Sequence, residues 1–278
     1  MKLLILGSGQ DAGVPQINCE CNNCSTARKN KKERRLGPSI AILDEKNEYC
    51  YIFDASPDLK HQIDMIKGFI SSVKTHENIP ITGIFLTHAH FGHCSGLWSL
   101  GKECCDAKEV PVFSSIKMND FLKTTHPFKH LLERKNISLS ILDTEQDYPF
   151  EDFSISTFNV PHRNEYADTV GYIIKCTKKI LYLPDLDVWT DELISLVNSV
   201  DLAFIDGSFY SHDELPRLSE VPHPPIKKAM ELFKDTNTEI YFTHFNHTNP
   251  VLNRNGKERE NVLKKGFKLT YDGLILDI

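Results

Sequence analysis

The sequence predicts an α/β protein in which two β-sheets pack face to face and helices cover their outer sides. Three observations carry this. Short apolar runs of strand length recur along the whole chain, each bounded by polar or turn residues. Segments with apolar residues at helical spacing fall between some of them. The order divides into two halves near residue 150 without a Pro/Gly linker, so both halves are expected in one domain spanning 1–278.

The elements follow in order. Leu3–Leu6 leads straight into a Gly-rich turn, which suits a first strand and is too short for a signal peptide. Ser39–Leu43, Tyr49–Asp54, Gly83–Leu86 and Val110–Phe113 read as the strands of the first half. The second half offers Phe153–Val160, Val170–Lys175, Lys179–Leu183, Leu202–Asp206, Glu239–Thr243 and Leu269–Leu276. Pro57–Ile70 carries Leu59, Ile63, Ile66 and Ile70 on one stripe and reads as a helix, as do Asp191–Val197 and Pro225–Lys234. Asn119–Lys123 and Phe128–Lys135 are weaker helical segments.

Composition narrows the class. Of 278 residues, 40% are hydrophobic and 25% charged, the balance of an ordinary globular protein. A net charge of -6 argues against a nucleic-acid backbone as partner. The basic run from Arg28 to Arg35 reads first as a solvated helix face or loop. No stretch reaches the length of a membrane span, and a cytoplasmic location is expected. Eight cysteines are then free thiols or metal ligands rather than disulfides.

The chemistry concentrates at strand ends. Thr87-His88-Ala89-His90-Phe91-Gly92-His93 follows Gly83–Leu86 directly. Neutral imidazole is the commonest protein ligand for transition metals, and His-x-His sets two rings on one side of an extended segment. His162 follows Phe153–Val160, Asp185 follows Lys179–Leu183, and His244 follows Glu239–Thr243. A lone histidine after a strand is ordinarily no ligand; four strand ends converging on one rim point to a metal centre.

A second constellation is Cys19-Glu20-Cys21-Asn22-Asn23-Cys24. Three thiols at this spacing read as three ligands of a four-coordinate zinc, with a redox-active pair as the alternative. The fourth ligand must come from elsewhere: His247 first, His223 second. Cys50, Cys94, Cys104, Cys105 and Cys176 read as buried apolar cysteines. His61, His76, His126, His130 and His212 read as surface residues.

The ordered set His88, His90, His93, His162, Asp185, His244 resembles the metallo-β-lactamase superfamily over nearly the whole chain. The resemblance implies a four-layer αβ/βα sandwich with a structural zinc loop near 19–24. It implies a first metal on His88, His90, His162 and Asp185, and a second on Asp185, His93 and His244. Asp54 matches the family's early strand-end aspartate, which braces the histidine loop. One position departs: Gly92 stands where the family has an aspartate that ligates the second metal. The expectation is therefore one or two ions of zinc, manganese or iron, with Asp187 a candidate to compensate.

The flanks resemble two branches of that superfamily. Leu6-Gly7-Ser8-Gly9, the run Gly13 to Cys21, Gly96 to Leu100, Asp206-Gly207-Ser208-Phe209, His244 to Pro250 and Tyr271 to Leu274 look like the coenzyme PQQ biosynthesis protein B branch. That branch largely lacks the His-x-His pair and is linked to iron-dependent oxidation. The layout is also similar to the PhnP phosphodiesterases, whose Thr-His-x-x-His motif matches Thr243 to His247 and favours His247 at the zinc.

The resemblance implies a metal-dependent phosphodiesterase. The metal would lower the pKa of bound water from about 15.7 toward 7 and give hydroxide at neutral pH. Asp185 would bridge or anchor the metal, and His223 would protonate the leaving oxygen of a small-molecule phosphodiester. The alternative is an iron-dependent oxidative enzyme acting on a peptide or small aromatic. A third reading is a non-catalytic zinc-binding module. A homodimer fits the superfamily.

Overall fold

Two seven-stranded sheets form the centre of the molecule. The first contains β1 (Lys2–Gly7), β2 (Ser39–Asp44), β3 (Tyr49–Phe53), β4 (Gly83–Phe85), β5 (Val110–Ser114) and β6 (Ile137–Ile141). The second contains β7 (Tyr148–Pro149), β8 (Ser154–Asn159), β9 (Val170–Lys175), β10 (Lys179–Leu183), β11 (Leu202–Asp206), β12 (Glu239–Thr243) and β13 (Lys268–Leu269). The chain then returns to the free edge of β1 as β14 (Ile275–Asp277). The computed structural model describes residues 1–70, 73, 79–144, 146–214 and 221–278; His76 lies outside them.

Strand alternation explains the stacking. Leu3 and Ile5 face the core between the sheets, whereas Leu4 and Leu6 face an outer core. Ile180 and Tyr182 likewise face inward, and Leu181 and Leu183 face a second outer core. A strand that is apolar on both sides needs cover on both sides. Helices supply it. Leu59 and Ile66 of α2 (Leu59–Ile66) pack on the first sheet after α1 (Asn22–Lys29), and α3 (Phe91–Cys94) follows the histidine loop. Met118 and Leu122 of α4 (Ile116–Thr124) and Phe128 and Leu131 of α5 (Phe128–Glu133) complete that outer layer. On the second sheet lie α6 (Asp191–Asn198), α7 (Ile226–Leu232) and α8 (Lys257–Lys264), through Leu193, Val197, Ile226, Met230 and Val262. The result is helix, sheet, sheet, helix.

The sheet order also places the chemistry. β3 to β6 run parallel, as do β10 to β13, so their carboxyl ends gather on rims of the two sheets. Ligand sites of such sheets lie outside the carboxyl ends.

Three expectations need correction. Leu269–Leu276 is not one strand but β13 and β14, in different sheets. The break is a turn in which Gly273 takes φ 88 and donates to the Ile5 carbonyl at 2.8 Å. Beside it, Asp272 accepts from Ser8 N at 3.0 Å and Leu36 N at 2.7 Å, which draws the chain over to β1. The basic run is no simple solvated face. Arg28 donates to the Cys19 carbonyl and to Gln16 O, and Arg35 is buried, donating to Arg34 O at 2.7 Å. Of the remaining cysteines, Cys50 and Cys94 are buried, but Cys104 is exposed and Cys105 and Cys176 are half-buried.

Candidate metal centre

Each histidine of the cluster has one ring nitrogen engaged by an acceptor, which fixes where the other points. The Asp54 carboxylate, at the end of β3, accepts from Thr87 N at 2.8 Å and Thr87 Oγ1 at 2.9 Å. Because the Thr87 hydroxyl proton goes to Asp54, His88 Nδ1 must donate to Thr87 Oγ1, 2.9 Å away. His93 Nδ1 donates to the other Asp54 oxygen at 2.9 Å. His162 Nδ1 donates to Asp187 at 2.6 Å, and His90 Nε2 to Glu165 at 3.2 Å. His244 Nδ1 donates to Ser208 Oγ at 2.9 Å, which donates in turn to the His244 carbonyl at 3.1 Å.

The remaining nitrogens face one another. His88 Nε2 lies 2.9 Å from His90 Nδ1, and His162 Nε2 lies 3.2 Å from the same atom. Three lone pairs meeting at these distances repel unless a cation stands between them, and imidazole–metal bonds of about 2.0–2.1 Å fit that spacing. On the other side, Asp185 Oδ2 lies 2.8 Å from His93 Nε2, 3.2 Å from His244 Nε2 and 3.8 Å from His88 Nε2. That oxygen is buried and, among the described residues, in line with no N–H donor. A carboxylate oxygen left in this way, ringed by imidazole nitrogens, suits a ligand shared by two metal positions.

The electrostatics suit the same use. Burial pushes the pKa of His88 well down, with neighbouring His93 adding to it, and burial lowers His90 and His244 as well. All three are thus neutral, as metal ligands must be. Burial also opposes a charge on His93, but Asp54 and Asp185 outweigh it and raise its pKa to about 10, so this ring must give up a proton to take a metal. Burial alone would raise Asp185; His244, His93 and His88 together hold it well below the usual carboxylate range.

Two backbone outliers mark the rim. Asp54 has φ 65 and His244 φ 62, a left-handed geometry that costs an L-residue about 1–3 kcal/mol and persists only when its surroundings fix it. Asp54 N is held by Phe85 O at 2.7 Å, and Phe245 N by Ser8 O at 2.8 Å.

Behind the cluster, His223 Nδ1 donates to Asp206 at 2.6 Å. Its Nε2 is buried with no hydrogen-bond partner among the described residues. Burial works against a charge here too, and Asp206 overcomes it, raising the pKa to about 9.

The thiol cluster lies on the amino end of α1. Cys19, Cys21, Cys24 and His247 place one donor atom each within 4.8 Å of one another. His247 Nδ1 is 3.4 Å from Cys19 Sγ and 3.6 Å from Cys21 Sγ. Asn23 Nδ2 donates to His247 O and Asn249 O at 3.0 and 2.9 Å, tying α1 to the segment after β12.

Residues 49–245 match the Beta-lactamase superfamily domain. The chain belongs to the metallo-β-lactamase superfamily. It is 27% identical over 310 residues to coenzyme PQQ synthesis protein B of Nitrosococcus oceani, covering 99% of each chain. The same-named protein of Rhizobium meliloti is 27% identical over 99% of this chain and 97% of its own. Among solved structures, Zn(2+)-bound PqqB from Methylobacterium extorquens superposes with a TM-score of 0.84, at 25% identity and full coverage of both chains. A diphosphatase of the PhnP family shares the metallo-β-lactamase fold with a TM-score of 0.73, at 24% identity, covering 99% of this chain and 96% of its own.

The structure thus brings His88, His90, His93, His162, Asp185 and His244 to one rim, with Asp54 behind them, and Cys19, Cys21, Cys24 and His247 to another place. His223 joins Asp185 and Asp206, not the thiols. Asp187 is engaged by His162 and does not stand in for the missing aspartate. The sequence reading passed over Asp206, Ser208, Thr87 and Glu165 as functional residues. Asp206 and Ser208 lie in a stretch already singled out as a motif, and Thr87 directly precedes the histidines. Glu165 carries no sequence signal; only the fold of its loop sets it against His90.

Proposed function

We propose that this chain is a metal-dependent hydrolase, with phosphodiesters as its leading substrate class. The observation that carries this is the pairing of inward-facing imidazole lone pairs with an adjacent histidine whose outer nitrogen is unengaged. Held by His88, His90, His162, Asp185, His93 and His244, a divalent metal would supply Lewis acidity and acidify bound water. The chain's own residues do the rest. Asp54 and Thr87 fix the tautomers of His88 and His93. Asp187 and Glu165 do the same for His162 and His90. His223, kept protonated by Asp206, holds a proton at Nε2 for the leaving oxygen, and Asp206 steadies the ring from behind.

A second reading, an iron-dependent oxidative enzyme acting on a peptide or small aromatic, is favoured by the full-length likeness to PQQ synthesis protein B. A His-rich centre accepts iron as well as zinc or manganese. We place the protein in the cytoplasm with a structural zinc at the thiols, and expect a homodimer. The experiment is metal analysis of the isolated protein, followed by bis-(p-nitrophenyl) phosphate turnover and oxygen uptake after loading with zinc, manganese or iron. Ester turnover without oxygen uptake is expected. Iron-dependent oxygen uptake without ester turnover would establish the second reading. Metal at the thiols alone, with neither activity, would leave a zinc-binding module.

A further inference from the structure

We propose that Asp11 supplies the carboxylate ligand that position 92 lacks, completing a second metal position with Asp185, His93 and His244. This rests on the reading of the histidine rim as a metal centre.

A Cβ built on Gly92 would meet Asp11 Cα at 2.4 Å and Asp11 Oδ1 at 2.6 Å. The space that an aspartate side chain at 92 would enter is therefore taken by an aspartate from another part of the chain. The displacement of Oδ1 from that Cβ position is about the span from Cβ to a carboxylate oxygen within one aspartate. Residue 92 must be glycine because Asp11 is there.

Asp11 is held at this spot by backbone bonds on both sides. Gly9 N donates to Leu36 O at 2.9 Å, Gln10 N to Phe245 O at 2.9 Å, and Gly13 N to Gln10 O at 2.8 Å. Gly9 also bridges to Phe245, the neighbour of His244. Asp11 itself takes φ 42, a conformation that an L-residue adopts at a cost. The turn closed by Gly13 N on Gln10 O holds that conformation, and the carboxylate makes no hydrogen bond or ion pair with any described residue. Asp185 Oδ2, on the facing side, lacks an aligned donor. With Asp11 in this role, two carboxylates and two imidazoles would share the second position, a donor set suited to zinc or manganese.

The test is metal content of the full chain, stripped with chelator, reloaded with Mn(2+) in the presence of Zn(2+) for the thiol site, and counted by mass spectrometry. Wild type is expected to hold three ions per chain. Asp11→Asn, which keeps shape and tolerates this backbone, is expected to hold two, with the weakest site loosened at least 100-fold. Asp11→Gly relieves the backbone and should keep or raise the melting temperature while losing the same ion. The Mn–Mn coupled electron paramagnetic resonance signal should vanish in both. Three ions in either variant, or two in wild type, would overturn the proposal while leaving the first metal position intact. One ion in wild type would overturn the metal-centre reading along with it.

Discussion

The chain gathers metal-donor side chains in two places, and they are built in opposite ways. The thiol site takes three donors from one short segment, Cys19 to Cys24 at the start of α1, and a fourth from His247, all within reach of one another. The histidine rim draws donors from strand ends spread between Asp54 and His244. At the thiols the donors close around one point. At the rim two buried atoms, Asp185 Oδ2 and His223 Nε2, have no hydrogen-bond partner among the described residues. A closed set of four suits a structural ion, and an open set suits one that must meet a substrate. The difference suits a thiol site that, holding zinc, would keep the N-terminal loop in place, and that loop sets Asp11 beside Gly92.

Breaking the rim should have the largest effect on chemistry. His88→Ala should lower phosphodiester turnover about 1,000-fold or more, since the lost charge stabilisation is worth several kcal/mol. Its melting temperature should stay within a few degrees of wild type; unchanged turnover would mean that the rim is not the reacting centre. Breaking the thiol site should act the other way round. Cys21→Ser should release one zinc per chain and lower the melting temperature by about 10 °C, as metal-binding energy is folding energy. Differential scanning calorimetry with zinc analysis checks this, and an unchanged melting point would remove the thiols' structural role.

The smallest effect concerns the loop joining the two sites. Asp272 pins Ser8 and Leu36, and burial, only partly offset by Arg35, raises its pKa to about 6. The folded state therefore holds this proton more tightly than the unfolded chain. Its contribution is full below pH about 4 and is lost as pH rises through about 6. In chelator-treated protein, the advantage of wild type over Asp272→Asn in melting temperature should shrink from pH 4 to pH 7. A constant difference would show that Asp272 is not the titrating group.

Much of this was legible in the residues. The short apolar runs give most strands because a strand buried on both faces is apolar throughout, and dense histidines after a strand advertise ligands without any fold. What escaped was whatever depends on partners far away in sequence. β6 and β7 have half-exposed, mixed patterns, and α8, Lys-Glu-Arg-Glu-Asn-Val-Leu-Lys, buries only Val262. No apolar stripe announces such elements. Asp206 reads as the end of a strand until the fold sets His223 against it.

Gly92 shows the division most clearly. The sequence by itself determined that the histidine loop lacks an aspartate, and that thiols and imidazoles stand ready in two sets. Only the tertiary structure decided what fills the gap. The turn at Gly273 carries the chain from one sheet to the other, Asp272 fixes the N-terminal loop, and Asp11 arrives beside Gly92 from 81 positions away. Ligand geometry is a matter of angstroms, and angstroms between distant residues are set by packing, which no local pattern encodes.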